Sequence, residues 1–261
     1  MECHNKENGS EYLDNLIALF KLITSNHNVI AHCYEAYEVS QQILNNQLKH
    51  YKKHNSKKWE LSISPNIEIE LKNKKMCGIK GKTTILLGGS IAVEDDILID
   101  QSLVVSILFT ADNDIEEADL ITHACYHVRP GIPEIIRRFH FDLDTKLKNN
   151  DRPLSHLQYG GKFSTDYIKN GSDVQYNLFK ALDHPRIPIP PYDLILIFDM
   201  IFDQFEPSDL SSIKIENRER WHNLVKTSEN LWIVDYFIEL ANEAGKANRE
   251  YSLYQHMCTK H

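Results

Sequence analysis

The residues from Asp119 to Tyr159 constrain the fold most, because their polarity alternates with a period of two. Successive side chains on a strand point to opposite faces, so this pattern belongs to a sheet with one apolar and one polar side. In Arg137–Asp144 the set Phe139, Phe141 and Leu143 alternates with Arg138, His140, Asp142 and Asp144. The segment Leu154–Tyr159 gives His156 and Gln158, and the segment from Asp119 to Arg129 gives His123, Cys125 and His127. Three consecutive strands of a meander would collect all of these on one face, with the phenylalanines turned to the core.

Two registers build that face. If residues 145–153 form a loop and Asp144 lies opposite Leu154, then Asp142 faces His156 and His140 faces Gln158. Directly opposed side chains share a face at a Cβ separation of about 5 Å. If Arg129 lies opposite Glu134, Cys125 faces Arg138 and His123 faces His140. A slip of one residue would scatter either set.

Three chemistries suit such a face. His140 and His156 can act as acid and base, with Asp142 orienting a ring and Arg138 stabilising an anion, for which a phosphodiester is the natural substrate. His123, His127, His140, His156 and Asp142, with Cys125 as a soft ligand, have the donor types of a zinc, iron or manganese site. Alternatively, the face lies under the terminal helices and the histidines are hydrogen-bonded structural residues.

The rest of the chain reads as helix before this β-rich region and helix after it. Leu13, Leu16, Ile17, Phe20 and Ile23 recur at helical spacing, and Ser25, Asn26 and Asn28 separate them from a second helix carrying Val29, Ala36, Val39, Ile43 and Leu44. Leu61, Ile63, Ile67, Ile69 and Leu71 alternate as strands bent at Pro65, and Val104–Phe109 is a continuous apolar run suited to a central strand. After Pro190 and Pro191, Asp193 is placed to cap a helix with Leu194, Ile195, Ile197, Phe198, Ile201, Phe202 and Phe205 on its apolar face. Further helices are expected around Glu219–Val225, Glu229–Ala244 and Asn248–Met257. The expected fold is α+β: one domain over 1–261, helical over 10–54, β-rich over 58–160 and helical over 191–258, with a mainly antiparallel sheet under the helices.

Bulk properties narrow the function classes. A net charge of −8 argues against whole-surface binding to nucleic acid or anionic membrane. No run of about 18 apolar residues suggests a membrane span, and the N-terminus lacks an apolar signal region. Five scattered cysteines without a CxxC fit a reduced, cytoplasmic protein. Gly81, Lys82 and Thr83 do not form a phosphate loop, because the position needing the first glycine is Met76. The acidic run from Asp112 to Asp119 lacks the glycine and glutamate of a calcium loop. Two local features remain as binding candidates. The basic run from Lys49 to Lys58, with Tyr51, Lys52, Lys53 and Trp59, offers phosphate contacts and stacking rings for nucleic acid. The stiff segment from His184 to Pro191 offers Arg186 as an anion clamp over the histidine face.

The constellation of Arg138, His140 and Asp142, then His156, Gln158, Gly160 and Gly161, then Pro185 to Pro191 before an apolar helix, resembles small bacterial proteins. Those proteins come from mobile-element, toxin–antitoxin or phage-defence neighbourhoods, and the resemblance covers residues 137–205. It implies a component of a bacterial conflict system with a protein partner encoded by a neighbouring gene. The leading expectation is a nuclease-like effector in which His140 and His156 are acid and base, Asp142 orients, and Arg138 or Arg186 clamps the anion, with Gln158 alongside. The alternatives are a non-enzymatic binding subunit, whose C-terminal helices from Trp221 to Ala244 carry more apolar residues than one face needs, and a metal-dependent hydrolase. No cofactor is assigned.

Overall fold

The computed structural model of the chain describes residues 8–25, 31–54, 57–71, 75–76, 79–113, 130–144, 155–159, 175–176, 186–205, 211–234, 236–238 and 241. Helices α1 (Asn8–Thr24) and α2 (Ala31–His54) lead into strands β1 (Lys58–Glu70), β2 (Lys75–Met76), β3 (Ile79–Glu94), β4 (Ile97–Ala111), β5 (Glu134–Asp144), β6 (Ser155–Tyr159), β7 (Gln175–Tyr176) and β8 (Arg186–Pro188). Helices α3 (Leu194–Gln204), α4 (Ser211–Glu216) and α5 (Arg218–Ser228) follow, and a π-helical turn (Glu229–Val234) continues α5. The sheet runs in the order β1-β3-β4-β5-β6-β8, with β2 paired to β3 and β7 paired to β5. All pairs are antiparallel except β5 with β7, so the α+β class expected from the sequence holds.

The registers assign one parity of each strand to the helices. The rows Leu61–Ile91–Gln101–Leu143 and Ile67–Leu87–Val105–Phe139 run across the sheet on that side. They join α1 residues Tyr12, Leu13, Leu16 and Phe20 and α3 residues Leu194, Ile195, Ile197 and Phe198 in one core. The other parity carries the polar face. Among the described residues, α1 and the helix beginning at Leu194 therefore pack on the apolar side of the sheet.

Local chemistry accounts for the long strands. Asp95 and Asp96 join β3 to β4 with φ of 52° and 62°, the left-handed pair that a tight hairpin turn requires. Asp96 is buried and its carboxylate meets Lys57 Nζ at 3.3 Å, which ties the hairpin to the start of β1. Pro65 sits where the β1–β3 register shifts between Ile63 and Ile67, as a residue without an N–H should. Beside it Gly89 has φ +125°, and a Cβ there would stand 2.0 Å from the Ser102 carbonyl oxygen. Gly81 and Lys82 lie inside β3, so no phosphate loop forms there. At the outer edge of β1, α2 packs alongside and Gln47 Nε2 donates to the Glu60 carbonyl at 3.4 Å, which blunts an edge open to pairing.

The meander expectation needs a correction. β5 pairs with β4 on one side and β6 on the other, and His140 lies between Val104 and Gln158. No edge remains for His123 opposite His140. The long strand β4 takes that edge and sets buried Leu103 and Val105 opposite Phe141 and Phe139 on the core side. His123, Cys125 and His127 lie outside the described residues, as does the expected helix around Asn248–Met257. No described helix is long and apolar enough to cross a membrane.

Candidate functional site: the polar face of the sheet

The β5–β6 register is the one expected from the sequence: Asp142 opposite His156, and His140 opposite Gln158. The rows extend in both directions. Ser62, Ser90, Ser102, Asp142, His156 and Pro188 form one continuous cross-strand line. Val104, His140, Gln158 and Arg186 form the next, so the backbone register sets Arg186 in the row of His140. Arg138 follows opposite Ser106. The structure thus brings Arg138, His140, Asp142, His156, Gln158 and Arg186 onto neighbouring positions of three strands.

Asp142 is the hub of its row. Ser102 Oγ donates to Asp142 Oδ1 at 2.8 Å, and His156 Nε2 stands 3.6 Å from Asp142 Oδ2. The second distance is that of an ion pair when the imidazole is protonated and is too long for a hydrogen bond. The serine hydroxyl donates to the carboxylate oxygen that does not face His156. Ser102 was not singled out in the sequence, because its place depends on a partner strand some forty residues away along the chain.

Exposure divides the face in two. Ser62, Ser90, Glu60, Glu68 and Asp100 on β1, β3 and β4 are exposed. On β5 and β6, Arg138 and His140 are 9% exposed, Gln158 6% and His156 4%. The histidine half is therefore buried, against the outward placement expected from alternation alone. Among the described residues no group of three or more His, Cys, Asp or Glu side chains is arranged to hold a metal ion.

The basic run is also reordered. Lys49, His50 and Lys53 are exposed at the end of α2, where cations are favourable, and Tyr51 and Lys52 occupy the same turn. Lys57 and Lys58 are engaged by Asp96 and Glu60. Trp59 is not available to stack a base: it is 1% exposed, contacts Tyr12, and its Nε1 donates to the Gly9 carbonyl at 3.0 Å.

Two polar clusters among the helices escaped sequence reasoning. In the first, Lys214 bonds to both Asp199 and Asp203, and Trp221 Nε1 donates to Asp199 Oδ1 at 2.6 Å. Burial works to lower the Lys214 ammonium, but its bonds to the two aspartates outweigh this and hold it above the usual lysine value. Beside it a groove of about 590 Å³ is lined by Asp199, Lys214, Arg218, Trp221, His222 and Val225. In the second, Asp193 caps α3 as expected, Oδ1 accepting from Leu196 N at 2.9 Å. Its Oδ2 accepts from Ser228 Oγ at 2.6 Å and Trp232 Nε1 at 3.1 Å. Complete burial raises the Asp193 carboxyl to about 6, although the donors from Ser228, Leu196 and Trp232 pull the other way.

Comparison with protein-family models, curated proteins and solved structures gave no match for this chain.

Proposed function

We propose that the chain is a cytoplasmic binding subunit of a bacterial conflict system, acting through a protein partner encoded beside it. The resemblance of residues 137–205 to proteins of defence and toxin–antitoxin neighbourhoods supports the setting. The burial of Arg138, His140, His156 and Gln158 supports the binding role, because a phosphodiester must reach both imidazoles and neither is open to solvent. In this reading Ser102, Asp142 and His156 hold the sheet together beneath its polar surface. The contact surface is supplied by the open half of the sheet and by the C-terminal helices, where Ile215 is 78% exposed and Val234, Phe237 and Ile238 are also exposed. Exposed apolar residues such as these are what a partner surface uses. Co-expression with the neighbouring genes, followed by mass spectrometry of the co-eluting proteins, tests this. A stoichiometric neighbour-encoded partner is expected, and elution alone with bound nucleic acid or metal would contradict it.

A second reading keeps the nuclease-like effector. It is favoured by the Asp142–His156 pair at 3.6 Å and by Arg186 in the row of His140. Under it, replacing both histidines abolishes the biological effect while the fold persists.

A further inference from the structure

Asp193 is 1% exposed and is the common partner of several elements. It caps α3, accepts from the last residue of α5, and accepts from the π turn. Around it Tyr12 Oη of α1 accepts from Leu194 N at 3.3 Å, and Asn15 Nδ2 donates to the Leu224 carbonyl at 3.0 Å and meets Ser228 Oγ at 3.4 Å. Among the described residues, every hydrogen-bond donor to the carboxylate is neutral. The titratable group against it from α1 is Tyr12, whose hydroxyl burial and the Asp193 charge keep protonated. The α5–π junction carries Lys226 and Glu229, both exposed, and β1 brings only Trp59, against the Tyr12 ring. On α3 the nearest carboxylate, Asp199, is engaged by Lys214 and Trp221.

The π turn is tied to this cluster by Trp232. Ser228 and Trp232 are four residues apart, on one helix face, and donate to the same oxygen. Ser228 ends the regular helix, and Trp232 lies inside the turn with i→i+5 bonds. The Asp193 carboxylate thus bridges the two.

We propose that a proton on Asp193 operates the π turn: the carboxylate holds Ser228 and Trp232 on one oxygen and keeps 229–234 in the wider turn, and the neutral acid releases Trp232 and lets the turn tighten to α-helix. The proton comes from solvent, and a carboxylic acid that must donate one hydrogen bond accepts fewer. Tightening by one residue rotates the helical residues 236–238 that follow, among them the exposed Phe237 and Ile238.

The chain's three tryptophans make this testable by following indole N–H resonances of the full chain against pH. Trp232 should move with a midpoint near the raised carboxyl value of about 6, and the backbone resonances of 229–234 should move with it. Trp59, bonded to a backbone carbonyl, should stay still and serves as the internal reference. Ser228→Ala removes a donor that favours the charged form and should shift the Trp232 midpoint upward. A Trp232 resonance unchanged between about pH 4.5 and about pH 7.5 would overturn the proposal. So would an indole that titrates while the 229–234 backbone does not, or a midpoint indifferent to Ser228→Ala.

Discussion

Burying the Asp193 charge makes a prediction about stability with an unusual sign. Its carboxyl rises from 3.8 to about 6 because desolvation outweighs its neutral donors. A folded-state value above the unfolded one means that the folded protein binds the proton more tightly. The resulting stabilisation is fully present below about pH 3.8 and is lost as pH rises through about 6. A shift of roughly two units corresponds to about 3 kcal/mol. Most acidic groups in a protein act in the other direction, so the total stability profile would hide this contribution. Asp193→Asn isolates it, because the variant shares every other titrating group. Urea unfolding of both proteins should be followed by circular dichroism at several values between about pH 4 and about pH 7.5. The stability of the native protein relative to Asp193→Asn should fall by about 2–3 kcal/mol across that range, with a steepest slope a little above about 1 kcal/mol per pH unit, just under the value for one whole proton. The variant's own cost, from an amide facing the Ser228 and Trp232 donors, is independent of pH and drops out of the slope. A difference that is flat with pH, or that grows as pH rises, would refute the assignment of a buried, cation-free carboxylate.

Three further predictions concern packing. Gly89→Ala places a Cβ at φ +125° against the Ser102 carbonyl and should cost more than about 1 kcal/mol in chemical denaturation. Phe198→Ala empties a fully buried site between Tyr37 and Phe202 and should cost about 3–5 kcal/mol, read as a lowered denaturation midpoint with an unchanged slope. Ser102→Ala removes the donor to the part-exposed Asp142 and should cost about 1 kcal/mol, with a shifted His156 ring resonance reporting the altered carboxylate.

The β5–β6 register was legible because Phe139 and Phe141 fix which parity faces the helices, and because setting Asp144 opposite Leu154 gives the pairing of Asp142 with His156. The bend at Pro65 and the cap at Asp193 were legible for local reasons, a missing N–H in one and a short acceptor before an apolar run in the other. What was not legible depends on distant pairing. Nothing near Ser102 announces that its strand runs beside Asp142. Trp59 follows two lysines and reads as part of a basic surface, yet strand parity turns it to the core, where Gly9 supplies its acceptor. The burial of His140 and His156 was one of three open readings, because alternation separates two faces without saying which of them is covered. Asp193 read as an ordinary cap, since Ser228 and Trp232 lie 35 and 39 residues further along the chain.

Under the proposed function the chain works by binding and its buried histidines are structural. The most direct test is the double variant His140→Asn with His156→Gln, assayed together for melting temperature, for assembly with the neighbour-encoded partner, and for protection of the host against phage. The account predicts that, at temperatures where the variant is folded, it still assembles and protects as the native protein does. A variant that is folded and assembled but no longer protects would contradict it and restore His140 and His156 as acid and base.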